Sequence, residues 1–265
     1  MRISLLLIGK VLVLLILLPF QFVHRYSVFA LAEHSGPLDD LMIKVDTTKP
    51  GSTGLLNYRL ETLDGNFDVD CTDDGKIELK NRTVDFQCSY PKSGVYTIRI
   101  IDNTGKGEGF TQFIQVKPEK LIMVDLWGKS KWVSFEKAFN GAVYLSITAK
   151  NISDMKLVKD MSGMFALAKS FNEAIGGWYT SNVTDMNCMF CETSAFNQRI
   201  GDWVTSEVIN LNCMFCDASA FNQNIGEWDT SNVENMYSVF GNAVSFNLPI
   251  DKRNTYKVNR MNSMV

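Results

Sequence analysis

A motif that recurs every 25 residues fills the second half of the chain and constrains its fold more than any other feature. Trp178, Trp203 and Trp228 mark one position in three successive copies. Other columns at this spacing are Phe171, Phe196, Phe221 and Phe246; Ile175, Ile200, Ile225 and Ile250; and Val158, Val183, Val208, Val233 and Val258. A fixed period without insertions indicates structural repeats that stack and share one core.

The apolar spacing inside a repeat predicts its local structure. Val183, Met186 and Met189-Phe190 recur at steps of three and four residues, which is typical of one face of a short helix or 3₁₀ turn. Residues 196–200 have the apolar ends of a short strand. These elements predict a leucine-rich-repeat-type α/β solenoid over residues 158–265, whose last repeat is incomplete. Residues 119–157 are expected to form a connecting segment and an N-terminal capping repeat.

The N-terminal segment predicts export. Residues 3–23 are almost entirely apolar, Arg2 supplies a positive start, and Ala30-Leu31-Ala32 is a small-x-small cleavage motif. This pattern predicts a signal peptide over residues 1–32, followed by a leader over residues 33–41. An uncleaved anchor is the alternative, since about 20 apolar residues span a bilayer, and it would be the only membrane contact. In both cases the remaining chain is secreted or held at the cell surface.

Charge and histidine usage exclude several classes of function. Arg2, Lys10 and Arg25 are the only charged residues of segment 1–32, so its removal changes the formal net charge from −3 to −6 (23 basic against 29 acidic side chains). An acidic body argues against nucleic acid as a partner. The two histidines, His24 and His34, precede the predicted domains, which excludes histidine-based triads and metal sites there. We therefore expect no catalytic residue, no cofactor and no enzymatic activity.

Residues 42–118 alternate apolar and polar side chains in short runs separated by turns. This pattern predicts a small antiparallel β-sandwich. Cys71 and Cys88 lie 17 residues apart in neighbouring predicted strands of an exported domain, so we expect a disulfide between them. The acidic run that begins at Asp70 matches no calcium-loop spacing and favours an acidic hairpin turn.

A CxxC…CxxC pattern occurs inside the repeats, at Cys188, Cys191, Cys213 and Cys216. Out of context, such a pattern indicates a zinc site. In the repeat alignment, however, the four cysteines share columns with glycine, alanine and serine. They are therefore favoured as small packing residues that hold no metal. Disulfides and zinc stay open as alternatives.

The asparagine column predicts a structural ladder rather than a ligand site. An inward asparagine at a fixed step satisfies backbone groups of adjacent repeats. The members of this column are Asn172, Asn197, Asn222 and Asn247. The tryptophan column likewise favours packing over exposed sugar-stacking surface. Binding is expected at variable positions that point outward, and the candidates are Gln198, Arg199, Gln223 and Asn224.

The segment from Trp178 to Met186, followed by Met189-Phe190 and the Phe-Asn-Gln run at 196–198, resembles the repeats of the BspA-type leucine-rich-repeat surface proteins of bacteria. Residues 228–233, Trp-Asp-Thr-Ser-Asn-Val, are the nearest copy of that motif. Residues 42–117 resemble the PKD-like domain that accompanies such repeats. The resemblance implies a secreted or cell-surface protein without catalytic residues, some of whose relatives are adhesins. Val204, Glu207 and Arg253 depart from the family repeat.

The expected function is adhesion or macromolecular binding through the repeats, with an extracellular protein or glycan as partner. A secreted carbohydrate-binding protein and a truncated fragment of a larger surface adhesin are the alternatives. The sequence stops in mid-repeat, after Met264-Val265. Repeat stacks normally end in a polar cap, so this stop predicts truncation, with self-association or fraying at an open end that exposes Phe246 and Ile250.

Overall fold

A computed structural model describes most of the chain as two compact units, residues 1–35 and residues 36–265. The described residues are 4–8, 11–15, 39–51, 56–60, 65–113, 118–149, 155–251 and 253–264. In the first unit, β1 (Ser4–Ile8) pairs with β2 (Val11–Leu15) in antiparallel orientation. The predicted cleavage site at Ala30-Leu31-Ala32 lies outside the described residues. Within them, no helix has the length and apolarity needed to cross a membrane.

The first part of the second unit consists of two sheets. Its strands are β3 (Leu41–Asp46), β4 (Asn57–Leu60), β5 (Phe67–Asp70), β6 (Leu79–Arg82), β7 (Phe86–Ser89), β8 (Val95–Asp102), β9 (Leu121–Trp127) and β10 (Ser146–Ile147). Six of them form one sheet in the order β10-β9-β3-β8-β5-β6, and β4 pairs with β7 in the other. Only the β9–β10 pair is parallel among these described strands. The larger sheet thus takes two strands from the segment that follows residue 118.

The apolar residues of alternating strands join the two sheets. Within the larger sheet, Ile43 of β3 lies opposite Ile98 of β8, and both are buried. Phe67 of β5 packs edge to face against Phe86 of β7, with 6.1 Å between the ring centroids. The predicted disulfide is present: Cys88 of β7 is bonded to Cys71, next to the end of β5, and their Cα atoms are 5.7 Å apart. The two sheets are therefore linked by a covalent bond as well as by aromatic packing.

The 25-residue copies stack on one another along a line of single-residue bridges. These parallel bridges join Ser134 to Asp160, Asp160 to Asp185, Asp185 to Asn210, Asn210 to Asn235, and Asn235 to Arg260. Further backbone bonds follow the bridge in each copy. The N–H groups of Met186, Cys188, Phe190 and Glu192 donate to carbonyls of Asn210, Asn212, Met214 and Cys216 at 2.7–3.0 Å. Every second N–H of this segment therefore points along the stack.

The predicted α/β leucine-rich-repeat solenoid is wrong, because the described residues contain strands, bridges and turns but no helix. The segment expected to be helical is a series of tight turns. Cys188 and Glu192 have φ values of 54° and 57°, in the left-handed region, which a right-handed helix does not contain. Every second N–H group, which a helix would bond within itself, bonds to the next copy instead. The strand expected at residues 196–200 is also not formed. Since the described residues have strands and bridges but no helix, the fold is all-β.

Stacked aromatic columns make the core of the repeats. Phe165, Phe190, Phe215 and Phe240 follow one another with 5.7–5.8 Å between ring centroids. Phe171, Phe196, Phe221 and Phe246 form a second column at 5.9–6.2 Å. At the first copy, Trp178 meets Trp127 of β9 edge to face at 6.1 Å. The repeats and the six-stranded sheet therefore share one apolar core.

Candidate functional site

The asparagine column forms hydrogen bonds from each repeat to the next. The Asn197 Oδ1 atom accepts the N–H of Asn222 and the Nε2 of Gln223, both at 2.9 Å. Asn172 makes the equivalent bonds to Asn197 and Gln198, at 2.9 and 3.1 Å. These asparagines are half-buried or exposed, not inward as expected. The two glutamine candidates for binding thus have a structural role in the ladder.

The other two candidates, Arg199 and Asn224, are exposed. They lie on adjacent repeats and line a small cleft of about 180 Å³. Asp202 and Glu227 line the same cleft, so one cation faces two carboxylates there. Because the cleft spans only two repeats, it offers room for one or two side chains of a partner and not for an extended segment.

The tryptophan column is buried. Trp178, Trp203 and Trp228 are only 4–5% exposed. The Trp203 Nε1 donates to the carbonyl of Ile175 at 3.2 Å, and Trp228 makes the equivalent bond one repeat later. Indole rings in this position pack between repeats and have no face free to stack on a sugar.

Arg253 takes the position of tryptophan in the next repeat. Its guanidinium reaches the carbonyl of Ile225 at 3.4 Å, which is the bond that an indole makes in the earlier copies. The same group lies over the Phe240 ring, 6.0 Å from its centroid. Burial lowers the pKa of the Arg253 guanidinium to about 10, and its Nε has no hydrogen-bond partner among the described residues. Arginine therefore fills the tryptophan site at an energetic cost.

A groove of about 480 Å³ runs beside the line of bridges. We call it the ladder groove. Four successive repeats each contribute two neighbouring residues to it, and these are Thr184 and Asp185, Ile209 and Asn210, Glu234 and Asn235, and Asn259 and Arg260. It is larger than the cleft at Arg199 and Asn224.

In three of the four pairs, the second residue holds a turn through its side chain. Asp185 Oδ1 accepts the N–H of Asn187 at 2.7 Å, and Asn210 and Asn235 hold the same turn in their copies. At the other position the backbone forms the inter-repeat bonds, such as Ile209 N–H to the Thr184 carbonyl at 2.9 Å. The half-buried Thr184 also donates its hydroxyl to the Lys159 carbonyl at 3.1 Å. The other three side chains of this column are exposed, and Ile209 is 44% exposed.

Sequence reasoning missed the ladder groove. The column that contains Thr184, Ile209, Glu234 and Asn259 changes from hydroxyl to aliphatic, carboxylate and amide, although it directly follows the valine column. Such variation beside a buried column indicates an outward position, and it was a usable signal. What the sequence alone does not show is that this column lies beside the bridges and lines a groove.

An acidic turn after β5 brings three carboxylates together. Oxygen atoms of Asp70, Asp74 and Glu78 lie within 4.8 Å of one another. Asp70 accepts N–H bonds from Thr72, Asp74 and Gly75 at 2.8–3.3 Å, and Glu78 accepts the N–H of Cys71. Asp74 accepts the N–H of Lys76 at 2.9 Å. All three carboxylates are thus engaged by backbone amides, as expected for an acidic turn.

The architecture defines a class of protein: stacked 25-residue repeats joined to a disulfide-linked pair of sheets, with no histidine in the described part of the chain. Residues 111–216 and 159–265 match the family described as "Mycoplasma protein of unknown function, DUF285". Since these matches cover more than half of its length, the chain belongs to this family. No curated protein and no solved structure matches it.

Proposed function

We propose that the chain is a non-catalytic exported protein that binds an extracellular macromolecule, a protein or a glycan, along the ladder groove. The observation that carries the proposal is that, within each repeat, the residues that form the apolar core and the asparagine ladder occupy different columns from the residues that line the groove. Phenylalanine and tryptophan columns are buried, and the asparagine column bonds the copies together. In the column that lines the groove, Thr184 donates its hydroxyl to the Lys159 carbonyl of the preceding copy. Among the described residues, the side chains of Ile209, Glu234 and Asn259 make no such hydrogen bond, and they face the groove.

The shape of the groove suits an extended ligand. Adjacent copies are joined by strand-like bridges, whose usual spacing is about 4.8 Å, so four copies span roughly 15 Å. The side chains presented along it are mixed in character, with the aliphatic Ile209 between polar and charged neighbours. Repeat stacks commonly use such a continuous face for binding, because each copy adds one set of contacts.

Export is supported by the disulfide between Cys71 and Cys88, since disulfides persist in oxidising compartments. Carbohydrate binding through the tryptophan column is the weaker candidate, because those rings are buried and hydrogen-bonded to the preceding repeat. A glycan bound in the ladder groove by polar side chains is compatible with the geometry.

A matched pair of variants tests the proposal. The full chain is screened against immobilised extracellular-matrix proteins and a glycan array, together with the Ile209→Asp and Val204→Asp variants. Ile209 lines the groove, whereas Val204 lies in the same repeat outside it, and their exposures are 44% and 48%. We expect Ile209→Asp to lose binding at least about tenfold, because a charge placed in an apolar contact must be desolvated.

Val204→Asp introduces the same charge on the same repeat and should bind as the parent chain does. An equal loss in both variants would mean that the groove is not the binding surface. Failure of the parent chain to bind any matrix protein or glycan would contradict the proposed function itself.

A further inference from the structure

The four cysteines of the repeats lie side by side on two adjacent copies. Cys188 and Cys191 belong to one copy, and Cys213 and Cys216 occupy the same positions in the next. All four thiols are free and half-exposed. The equivalent positions in other copies are Gly163 and Ser238, and Ala166 and Gly241, so packing alone does not require a thiol there.

Backbone bonds hold the four positions in a two-by-two arrangement. Cys191 N–H donates to the carbonyl of Cys188 at 3.1 Å, which closes a tight turn around Met189-Phe190. Cys216 and Cys213 close the same turn in the next copy. The two turns are stacked, because the N–H of Cys188 donates to Asn212, the neighbour of Cys213, at 2.8 Å. Met189 and Phe190 are buried, so the turn that brings Cys188 and Cys191 together is fixed.

The four thiols are neighbours, but they do not converge on one point. In the described part of the chain, the acidic group at Asp70 is the only one that brings three potential ligand atoms within 4.8 Å of one another. The four sulfur atoms therefore do not surround one point, as a tetrahedral zinc site requires. Cys188 and Cys191 interact through their side chains, and each also faces the equivalent thiol of the next copy, Cys213 and Cys216. The Cys188 and Cys213 thiols each donate to the preceding asparagine, at 3.4 and 3.5 Å. Cys216 differs, because its thiol donates to a carboxylate, the Asp217 Oδ2, at 3.3 Å.

We propose that Cys188 and Cys191 form a dithiol–disulfide site that reacts with small oxidised thiols, with Cys188 as the attacking and Cys191 as the resolving residue. The Cys188 thiolate attacks one sulfur of the small disulfide; a new S–S bond forms, the old one breaks, and one small thiolate leaves. The Cys191 thiolate then attacks the Cys188 sulfur, forms the Cys188–Cys191 bond and expels the second small thiolate. The two protons released by the cysteines end on the two leaving thiols, so two protein thiols are oxidised and one small disulfide is reduced.

The electrostatics agree with this order of reaction. A hydrogen bond from Cys191 lowers the pKa of the Cys188 thiol, and the same interaction raises the pKa of Cys191. Burial raises the pKa of Cys213, and burial together with the Asp217 carboxylate raises the pKa of Cys216 to about 11. Since the thiolate is the nucleophile, Cys188 is the thiol prepared to react first. The second CxxC motif serves as an internal comparison on the same fold.

Trypsin separates the two motifs. Lys169, Arg199 and Lys252 bound a peptide 170–199 with Cys188 and Cys191, and a peptide 200–252 with Cys213 and Cys216. The full chain, with its Cys71–Cys88 disulfide intact, is incubated with 2-hydroxyethyl disulfide at neutral pH, quenched by alkylation and digested. We expect peptide 170–199 to lose two hydrogens as a separate peptide, at least about threefold faster than peptide 200–252.

Two variants test the assigned roles and are expected to fold, because they introduce residues found at equivalent positions of other copies. Cys191→Ala should accumulate the mixed disulfide on Cys188, since the resolving thiol is gone. Cys188→Ser should slow the reaction of peptide 170–199 to the rate of peptide 200–252 or below. Far-UV circular dichroism that matches the parent chain verifies folding of both.

Three results would overturn the proposal. Equal rates for the two peptides would remove the distinction between the motifs. A disulfide that joins peptide 170–199 to peptide 200–252 would show that the repeats are clipped together instead. Stoichiometric zinc in the purified chain, released when the thiols react, would make the cluster a metal site.

Discussion

Replacing Asn197 by alanine tests how the repeats are held together. The Asn197 Oδ1 accepts two hydrogen bonds from the next copy, from the Asn222 N–H and the Gln223 Nε2, both 2.9 Å long. Alanine keeps the Asn197 backbone, whose N–H still donates to Asn172, but it removes this acceptor. The backbone N–H of Asn222 then has no partner in the preceding copy.

The magnitude follows from the setting of that amide. An unsatisfied buried N–H costs about 1–3 kcal/mol, and a normal hydrogen bond contributes about 1 kcal/mol net. Because Asn222 is half-buried, water recovers part of the loss, and we expect about 1–2 kcal/mol. Stacked repeats open locally, so this free energy should appear as about tenfold faster hydrogen exchange at the Asn222 amide.

Amide hydrogen exchange, followed by NMR or mass spectrometry, makes the measurement, with two controls. Asn197→Asp keeps an acceptor oxygen and should leave the Asn222 amide nearly as protected as in the parent chain. Asn247→Ala lies in the same column, but among the described residues its side chain accepts no hydrogen bond, so it should change little. If the Asn222 amide of Asn197→Ala exchanges as slowly as in the parent chain, or if Asn247→Ala accelerates exchange equally, the asparagine ladder does not couple the repeats.

Three further outcomes are expected. Arg253→Trp should raise the free energy of unfolding by about 1–2 kcal/mol, seen as a higher melting temperature, because it removes a half-buried cation whose Nε has no partner in the described part of the chain; a lower melting temperature would argue against a tryptophan site there. Replacing Cys71 and Cys88 together by alanine should lower that free energy by about 3 kcal/mol in urea unfolding, given the separation of 17 residues; an unchanged midpoint would contradict the entropic argument. Burial raises the pKa of Asp102, but hydrogen bonds, chiefly from Thr104, outweigh it and hold this pKa below its usual value. The free energy that ionised Asp102 contributes to folding is therefore complete above the unfolded pKa of about 3.9, and it is lost as the pH falls through the lower pKa of the folded state. Asp102→Asn should therefore flatten the acid limb of the curve of unfolding free energy against pH.

The period of the motif predicted the core of the repeats correctly at the level of single residues. Val183, Met186, Phe190 and Trp203 are all buried, as their columns required. A repeated apolar position can be satisfied only by stacking on its copies, so period and burial are linked whatever the backbone does between them. The disulfide was predictable for a related reason, since two alternating runs placed both cysteines on inward faces.

The local backbone was not predictable from the same columns. Apolar steps of three and four residues arise from a helix and equally from consecutive tight turns. The deciding feature is the left-handed conformation at Cys188, Cys213 and Ser238, residues that do not demand it by themselves. Gly163 in the same column was the single hint, because glycine is the residue most at ease there. The inter-repeat bonds that stabilise these turns exist only once the copies have stacked.

The candidate site was predicted only in part for the same reason. Gln198 and Gln223 belong to the asparagine ladder, whereas Arg199 and Asn224 are exposed in a small cleft. Variability alone does not distinguish a solvated edge from a groove. The position of Ile209 beside the bridges had to be seen in three dimensions.

The most direct test of the central claim is photo-crosslinking from the ladder groove to a ligand found in the binding screen. Benzoylphenylalanine is introduced at position 209 or 234 in the groove, and at position 204 or 229 outside it. The account predicts crosslinks from 209 and 234 and none above background from 204 and 229. Crosslinks from 204 and 229 without any from 209 and 234 would place the ligand on another face of the repeats and contradict it.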